Sequence, residues 1–307
     1  MEIGIRPTVD FAFKLMLGSP EHTNVTIHFL NAILEGQRRI TQVQILNPFL
    51  EKDTDEDKLS VLDILATDEH GRLLNIEMQT SLPAELPQRL AYYASSLYVG
   101  QLTEGSGYAD LRPAISICVL TQSMFPQIPD LHLEFRLRDR SGKTLTDDLQ
   151  IHLLELPKLC VTVENVYYAS PAERWAFFLE HAEHLTDDDV RRLFPDPEIV
   201  EAAGVLKMIS QTKVQRLLYD AKLKFQRDEE SRLRGALQQG HEQGREQGRQ
   251  EGRQEGRQEG RQEGRILLLQ QLLGLRQSTV EDFAGCDASQ LAELEEQLQQ
   301  QFRARSQ

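Results

Sequence analysis

Two acids, Asp63 and Glu77, interrupt apolar runs that otherwise read as strands of a sheet core. Val61 to Thr67 and Leu73 to Gln79 are short and rich in branched aliphatics, as strands are. Between them stands Asp68-Glu69-His70-Gly71. Its last residue suits a three-residue hairpin loop, Glu69 to Gly71, with Gly71 at positive φ. Asp68 then faces Arg72, and the same register carried onward sets Asp63 opposite Glu77. One hairpin face is apolar (Leu62, Ile64, Ala66, Leu74, Ile76, Met78), whereas the other carries Asp63, Glu77, Asn75 and Gln79. A slip of one residue would move a carboxylate onto the apolar face, so the register is well specified. Opposed side chains have Cβ atoms roughly 4.5–5.5 Å apart, where like charges are destabilising. A cation should offset that repulsion. Mg²⁺ suits the place, because one or two carboxylates plus water and substrate phosphate commonly hold it. Solvation of both acids, or an Arg from elsewhere bridging one of them, would also balance the charge.

The flanking segments read as the frame for this hairpin. Glu21 to Glu35 has helical spacing in Val25, Phe29, Leu30 and Ile33, and Gln42 to Leu46 reads as a short strand before Asn47-Pro48. Pro83 and Pro87 mark a loop, followed by a helix over Gln88 to Thr103 with Leu90, Ala94 and Leu97 on its buried stripe. Arg89 and Tyr92 share a neighbouring face, where the guanidinium could meet either a phosphate or a structural carboxylate. Ala114 to Leu120 is apolar nearly throughout, which predicts a strand covered on both faces. Leu131, Leu133, Phe135 and Leu137 alternate as an inward face and lead into a basic turn, Arg138 to Lys143. That turn reads chiefly as a solvated loop. From Pro171 the pattern is helical, and Leu206 to Leu218 continues it. His181 and His184 could clip a metal at i, i+3, but without a third fixed ligand they read as an exposed helix face.

Composition bounds the possibilities. The 307 residues allow one good core plus a helical appendage, and the three cysteines, Cys118, Cys160 and Cys286, show neither disulfide nor zinc spacing. A reducing, cytoplasmic location is expected, and no apolar run has the length of a signal peptide or membrane span. The net charge is −14; the first 239 residues hold 25 Lys and Arg against 36 Asp and Glu, a balance of −11. Phosphate neutralisation supplies most non-specific affinity, so such a chain should bind duplex DNA weakly without metal.

The segment from Gly240 to Gly264 has glycine at every fourth residue. As a helix it loses about 1 kcal/mol per Gly relative to Ala. Period four lays Gly, Arg, Gln and Glu in four ridges, so Arg and Glu cannot pair within one helix. A flexible linker and a homodimer through the repeat stand as equal readings. Ile266 to Leu275 and Leu291 to Phe302 have apolar helical stripes around a break at Gly285, and should pack on themselves, on the core or on a second chain.

Asp63, thirteen intervening residues and Glu77-Met78-Gln79 resemble the PD-(D/E)xK nuclease core, with Gln in the lysine's place. The chain more closely resembles the recombination-promoting nuclease or transposase family of that superfamily. The matching runs are Asp10 to Lys14, Gln88 to Tyr93, Leu97 to Leu102 and Ile151 to Lys158, in order over about the first 230 residues, with the glycine-arginine tail. The resemblance implies an α/β, restriction-endonuclease-like αβββαβ core with a helical C-terminal extension. It divides the chain into a nuclease core over 1–165, a helical extension over 166–232, the repeat over 233–265 and a small helical segment over 266–307. It implies a metal-dependent DNA endonuclease, with Asp63 and Glu77 as ligands of Mg²⁺, the Met78 carbonyl completing them, and Gln79 as the third catalytic position. Asp10 would be a further acid from the first helix. Gln79 can orient water through its amide, but it is neutral and has no useful basicity near pH 7. Two other readings remain beside this one. A catalytically inactive relative could bind DNA or protein through the same fold, and no residue named here selects DNA over RNA.

Overall fold

The computed structural model describes residues 1–46, 63–105, 107–283 and 285–305, and within it the hairpin forms as its sequence predicts. Val61, Leu62 and Asn47-Pro48 lie outside the described residues. Strands β2 (Ile64–Asp68) and β3 (Leu73–Gln79) are antiparallel, pairing Ile64 with Ile76, Ala66 with Leu74 and Thr67 with Leu73. Gly71 has φ 76°, the left-handed backbone that the turn requires, and its amide donates to the Asp68 carbonyl at 3.0 Å. The facing pair Asp68 and Arg72 becomes a buried ion pair, with Arg72 Nε 2.6 Å from Asp68 Oδ2. Asp68 Oδ1 also accepts the amides of His70 and Arg72. Asp68→Asn keeps an acceptor for those amides but removes the charge beside Arg72. It is expected to cost about 2 kcal/mol, read as a lower urea midpoint. An unchanged midpoint would show that the ion pair adds nothing net.

The sheet has six strands in the order β1-β2-β3-β4-β6-β5, with β1 at Val43–Ile45, β4 at Ala114–Leu120, β5 at His132–Arg138 and β6 at Thr144–Glu155. Strands β3, β4 and β6 run parallel, and the other pairings are antiparallel. Every residue of β4 is buried, as its unbroken apolar run predicts. One sheet face packs against α1 (Asp10–Leu17), α2 (Thr23–Ile33), α4 (Pro171–His181) and α6 (Pro197–Gln211). The other takes α3 (Leu86–Val99), whose Leu86 and Leu90 meet Cys118, Leu120 and Leu153. This is a mixed α/β architecture of the restriction-endonuclease-like kind.

Several boundaries differ from the sequence expectation for definable reasons. Pro87 lies inside the first turn of α3 rather than before it, where its missing amide leaves no bond unmade. Along β5 only Leu133 is buried, while Phe135 and Leu137 are exposed. The strand β6 begins at Thr144 but meets β4 only from Leu149 onward, so the far part of the β5–β6 hairpin runs past the sheet. The expected helix over Leu206 to Leu218 is broken at Thr212, which is extended at ψ 115°, and α7 (Lys213–Leu272) starts after it.

The chain divides into two compact units, Met1–Glu230 and Ser231–Gln307. In the second, the glycine repeat is helical throughout as part of α7. The end of α7, α8 (Val280–Phe283) and α9 (Ala288–Arg305) bury Ile266, Leu273, Phe283, Leu291 and Leu298 against one another. The last segment therefore packs on itself. Among the described residues no helix is long and apolar enough to cross a membrane.

Candidate active site

The paired carboxylates lie where β2 and β3 meet. Asp63 sits in the bend just before β2, one step beyond the Ile64–Ile76 pair and so opposite Glu77. Its Oδ2 accepts the Met78 amide at 2.9 Å, which fixes the carboxylate against β3. Glu77 is only 2% exposed. Its Oε1 accepts from Asn75 Nδ2 at 2.7 Å, and the Gln79 side chain follows on the same strand face. The side chains of residues 75, 77 and 79 line one strand face, which explains why these three polar groups meet. The same Asn75 amide reaches Ser116 on β4, and Asn75 Oδ1 is buried with no partner among the described residues.

The first helix supplies the counter-charge. Lys14 Nζ lies 3.3 Å from Asp63 Oδ1 and 3.0 Å from Asp10 Oδ1. Helix α1 is anchored by Phe11, Phe13, Met16 and Leu17 in the main core, which aims the opposite edge, Asp10 and Lys14, toward Asp63. It ends at Gly18, where a Cβ would stand 2.7 Å from the Lys14 carbonyl oxygen and 3.2 Å from Ile64 Cγ1. A side chain there would crowd the last turn of α1 first and the Ile64 side chain second. Within this chain the cation at Asp63 is thus an ammonium.

Burial dominates the titration of the pair. It lifts Glu77 to about 7, with Asp63 adding to the effect and Asn75, Arg89 and Gln79 opposing it. It also lifts Asp63 above the usual aspartate range, against the pull of Lys14. Burial works against the Lys14 charge as well, but Asp63 and Asp10 outweigh it and hold the ammonium above its ordinary pKa. Arg89 acts on Glu77 from α3, with its guanidinium 5.7 Å above the Tyr93 ring centre. It pairs with no carboxylate among the described residues, and its aromatic partner is Tyr93 rather than Tyr92.

Other expected groups fall elsewhere. Asp10 reaches the site through Lys14 and lies 4.0 Å from Lys222. Among the described residues no three of His, Cys, Asp or Glu converge as ion ligands. His181 packs at a tilt against Phe177, 4.4 Å between ring centres, and His184 is 72% exposed at its side chain. The basic turn lies at the tip of the β5–β6 hairpin, at the end of β6 opposite Glu155, whereas the register aligns Glu155 through Leu120 with Gln79. At about 3.3 Å per residue, that places the turn on the order of 30 Å from the acids along the sheet.

The donors present fit a hard divalent cation. Two carboxylates face one another, one is held protonated near neutrality by burial, and a cation would favour its ionised form. The Gln79 carbonyl accepts from Thr121 toward β4, so the Met78 carbonyl points to the opposite edge, the side of Asp63. No curated protein and no solved structure matches this chain. Residues 7–236 do match a family model, that of the PD-(D/E)XK nuclease family transposase, and with the paired acids and mixed sheet on those residues the chain belongs to that family.

Proposed function

We propose that this chain is a metal-dependent DNA endonuclease acting in recombination or mobile-element DNA processing, with Asp63, Glu77 and Gln79 as its site. The observation that carries the reading is the half-buried Asp63 set against the buried Glu77, beside two cationic side chains, Lys14 and Arg89. Hydrolysis adds water across one P–O ester bond, leaving a phosphate monoester and a hydroxyl. Bound Mg²⁺ would supply Lewis acidity and a more acidic water. Asp63 and Glu77 would hold it, with the Met78 carbonyl, while the Met78 amide keeps Asp63 in place. Gln79 would orient the attacking water through its amide. Arg89 has a planar fork suited to a phosphate, and Tyr93 under it restricts its motion. The family's transposase description favours DNA over RNA.

The test is incubation of the purified chain with DNA and with RNA, each with Mg²⁺ or EDTA. Cleavage of DNA only with Mg²⁺ is expected. Binding without cleavage would support the inactive-module reading, which the neutral Gln79 favours.

The repeat would join two copies in parallel. Each glycine ridge is flanked by Arg on one side and Glu on the other. Parallel two-fold symmetry sets the Arg ridge of one chain beside the Glu ridge of its partner, whereas antiparallel symmetry sets like beside like. Exposed pairs contribute only about 0–1 kcal/mol each, but a row of them still selects the orientation. Gly252→Cys is therefore expected to cross-link to itself under mild oxidation. A monomeric mass without cross-linking would leave the linker reading alone.

A further inference from the structure

Phosphodiester hydrolysis builds negative charge on the phosphorus oxygens, and preorganised cationic donors are the side chains that stabilise it. The side chain after Glu77 on the same strand face cannot do this. Gln79 is neutral and has no charge to offer. Lys14 is differently placed. Two of its three N–H donors are taken up by Asp10 and Asp63, and no third acceptor is found for it among the described residues. Its side chain is 19% exposed, so the remaining donor has a path to a ligand at the acids.

A purely structural role accounts poorly for this lysine. Helix α1 is already fixed by Phe11, Phe13, Met16 and Leu17, and Asp63 is already held by the Met78 amide. Moreover, a buried ion pair often contributes no more than well-packed apolar side chains would. The Asp10 carboxylate, one helical turn before Lys14, aligns the ammonium.

We propose that Lys14 is the cationic catalytic residue of the site: held between Asp10 and Asp63, it donates to the phosphate being cleaved and supplies the charge that position 79 lacks. The inference rests on the nuclease reading above. No bond to Lys14 forms or breaks, and it keeps its proton throughout; water adds to phosphorus and the ester oxygen leaves.

The experiment uses the full-length chain with Mg²⁺ and a DNA substrate. It compares wild type, Lys14→Met, Gln79→Lys and the double variant, with the Mg²⁺-induced shift in melting temperature measured for each. Lys14→Met keeps the apolar stem of the side chain. Its kcat is expected to fall by about 10²-fold or more, while the Mg²⁺ shift is kept or enlarged because a competing ammonium has left Asp63. Gln79→Lys in the same chain should restore at least about tenfold of that loss, since it returns an ammonium to the strand. Cleavage by Lys14→Met at the wild-type rate would overturn the proposal, as would a loss that Gln79→Lys does not relieve. Loss of the Mg²⁺ shift in Lys14→Met would overturn it too, because Lys14 would then be holding the acids. A wild-type chain that cuts nothing would defeat the nuclease reading, and this proposal with it. Cutting by both wild type and Lys14→Met would defeat this proposal alone.

Discussion

Asp63→Asn and Glu77→Gln should each lower Mg²⁺-dependent cleavage by at least about 10³-fold, the loss expected when several kcal/mol of metal-assisted charge stabilisation disappear. The amide variants are the informative ones. Asn at 63 still accepts the Met78 amide, and Gln at 77 still accepts from Asn75, so the scaffold is kept while the charge goes. Alanine separates the two positions further. Considered by itself, the hairpin suggests that removing either acid relieves repulsion. Lys14 makes them unequal, because Asp63→Ala leaves the ammonium with Asp10 alone and strands the Met78 amide. Asp63→Ala should therefore unfold at lower urea than wild type, and Glu77→Gln at higher. Cleavage by either amide variant within tenfold of wild type, at saturating Mg²⁺, would sink the assignment of these acids.

The hairpin was legible because three independent signals agreed on one register: turn chemistry at Gly71, an apolar face, and the opposed charges Asp68 and Arg72. The β4 strand was legible from its unbroken apolar run. Strand β6 was harder to see, since Thr144 to Asp148 mixes Thr and Asp in the part that extends past β4 and buries little. The exposure of Phe135 and Leu137 has the same origin. Alternation reports which residues share a face, not whether anything covers it. At the site, Asp10 and Lys14 entered only through a run matched by resemblance, and nothing local says that they point at Asp63. That placement comes with a contact between segments distant in sequence, Gly18 beside Ile64. Asn75 could be put on the polar face from the strand period alone. Its hold on Glu77 required the packed structure.

Without metal, Glu77 should make the folded chain less stable as pH rises toward neutrality, and Mg²⁺ should abolish that loss. Burial raises its carboxyl from the ordinary glutamate value of 4.5 to about 7 in the folded state. Between those values the folded chain holds a proton that the unfolded chain has released, so the folded state binds more protons and stability falls with rising pH. The contribution is present below the unfolded pKa and lost as pH passes through the folded one. At about 1.4 kcal/mol per unit, the full loss is on the order of 3 kcal/mol. His152 works in the opposite direction, since burial depresses it to about 3 and its contribution grows as pH rises toward the ordinary histidine value. The wild-type profile alone therefore mixes the two. The difference between Glu77→Gln and wild type isolates Glu77, because His152 is common to both. In EDTA that difference should grow in favour of Glu77→Gln by about 3 kcal/mol between roughly pH 4.5 and about pH 7.5, measured as urea unfolding free energies. Mg²⁺ binds only the ionised carboxylate, so in its presence wild type should recover the deficit at the higher pH and Glu77→Gln should gain little. A constant difference across that window, with or without Mg²⁺, would show that Glu77 is an ordinary carboxylate and that no cation is held there.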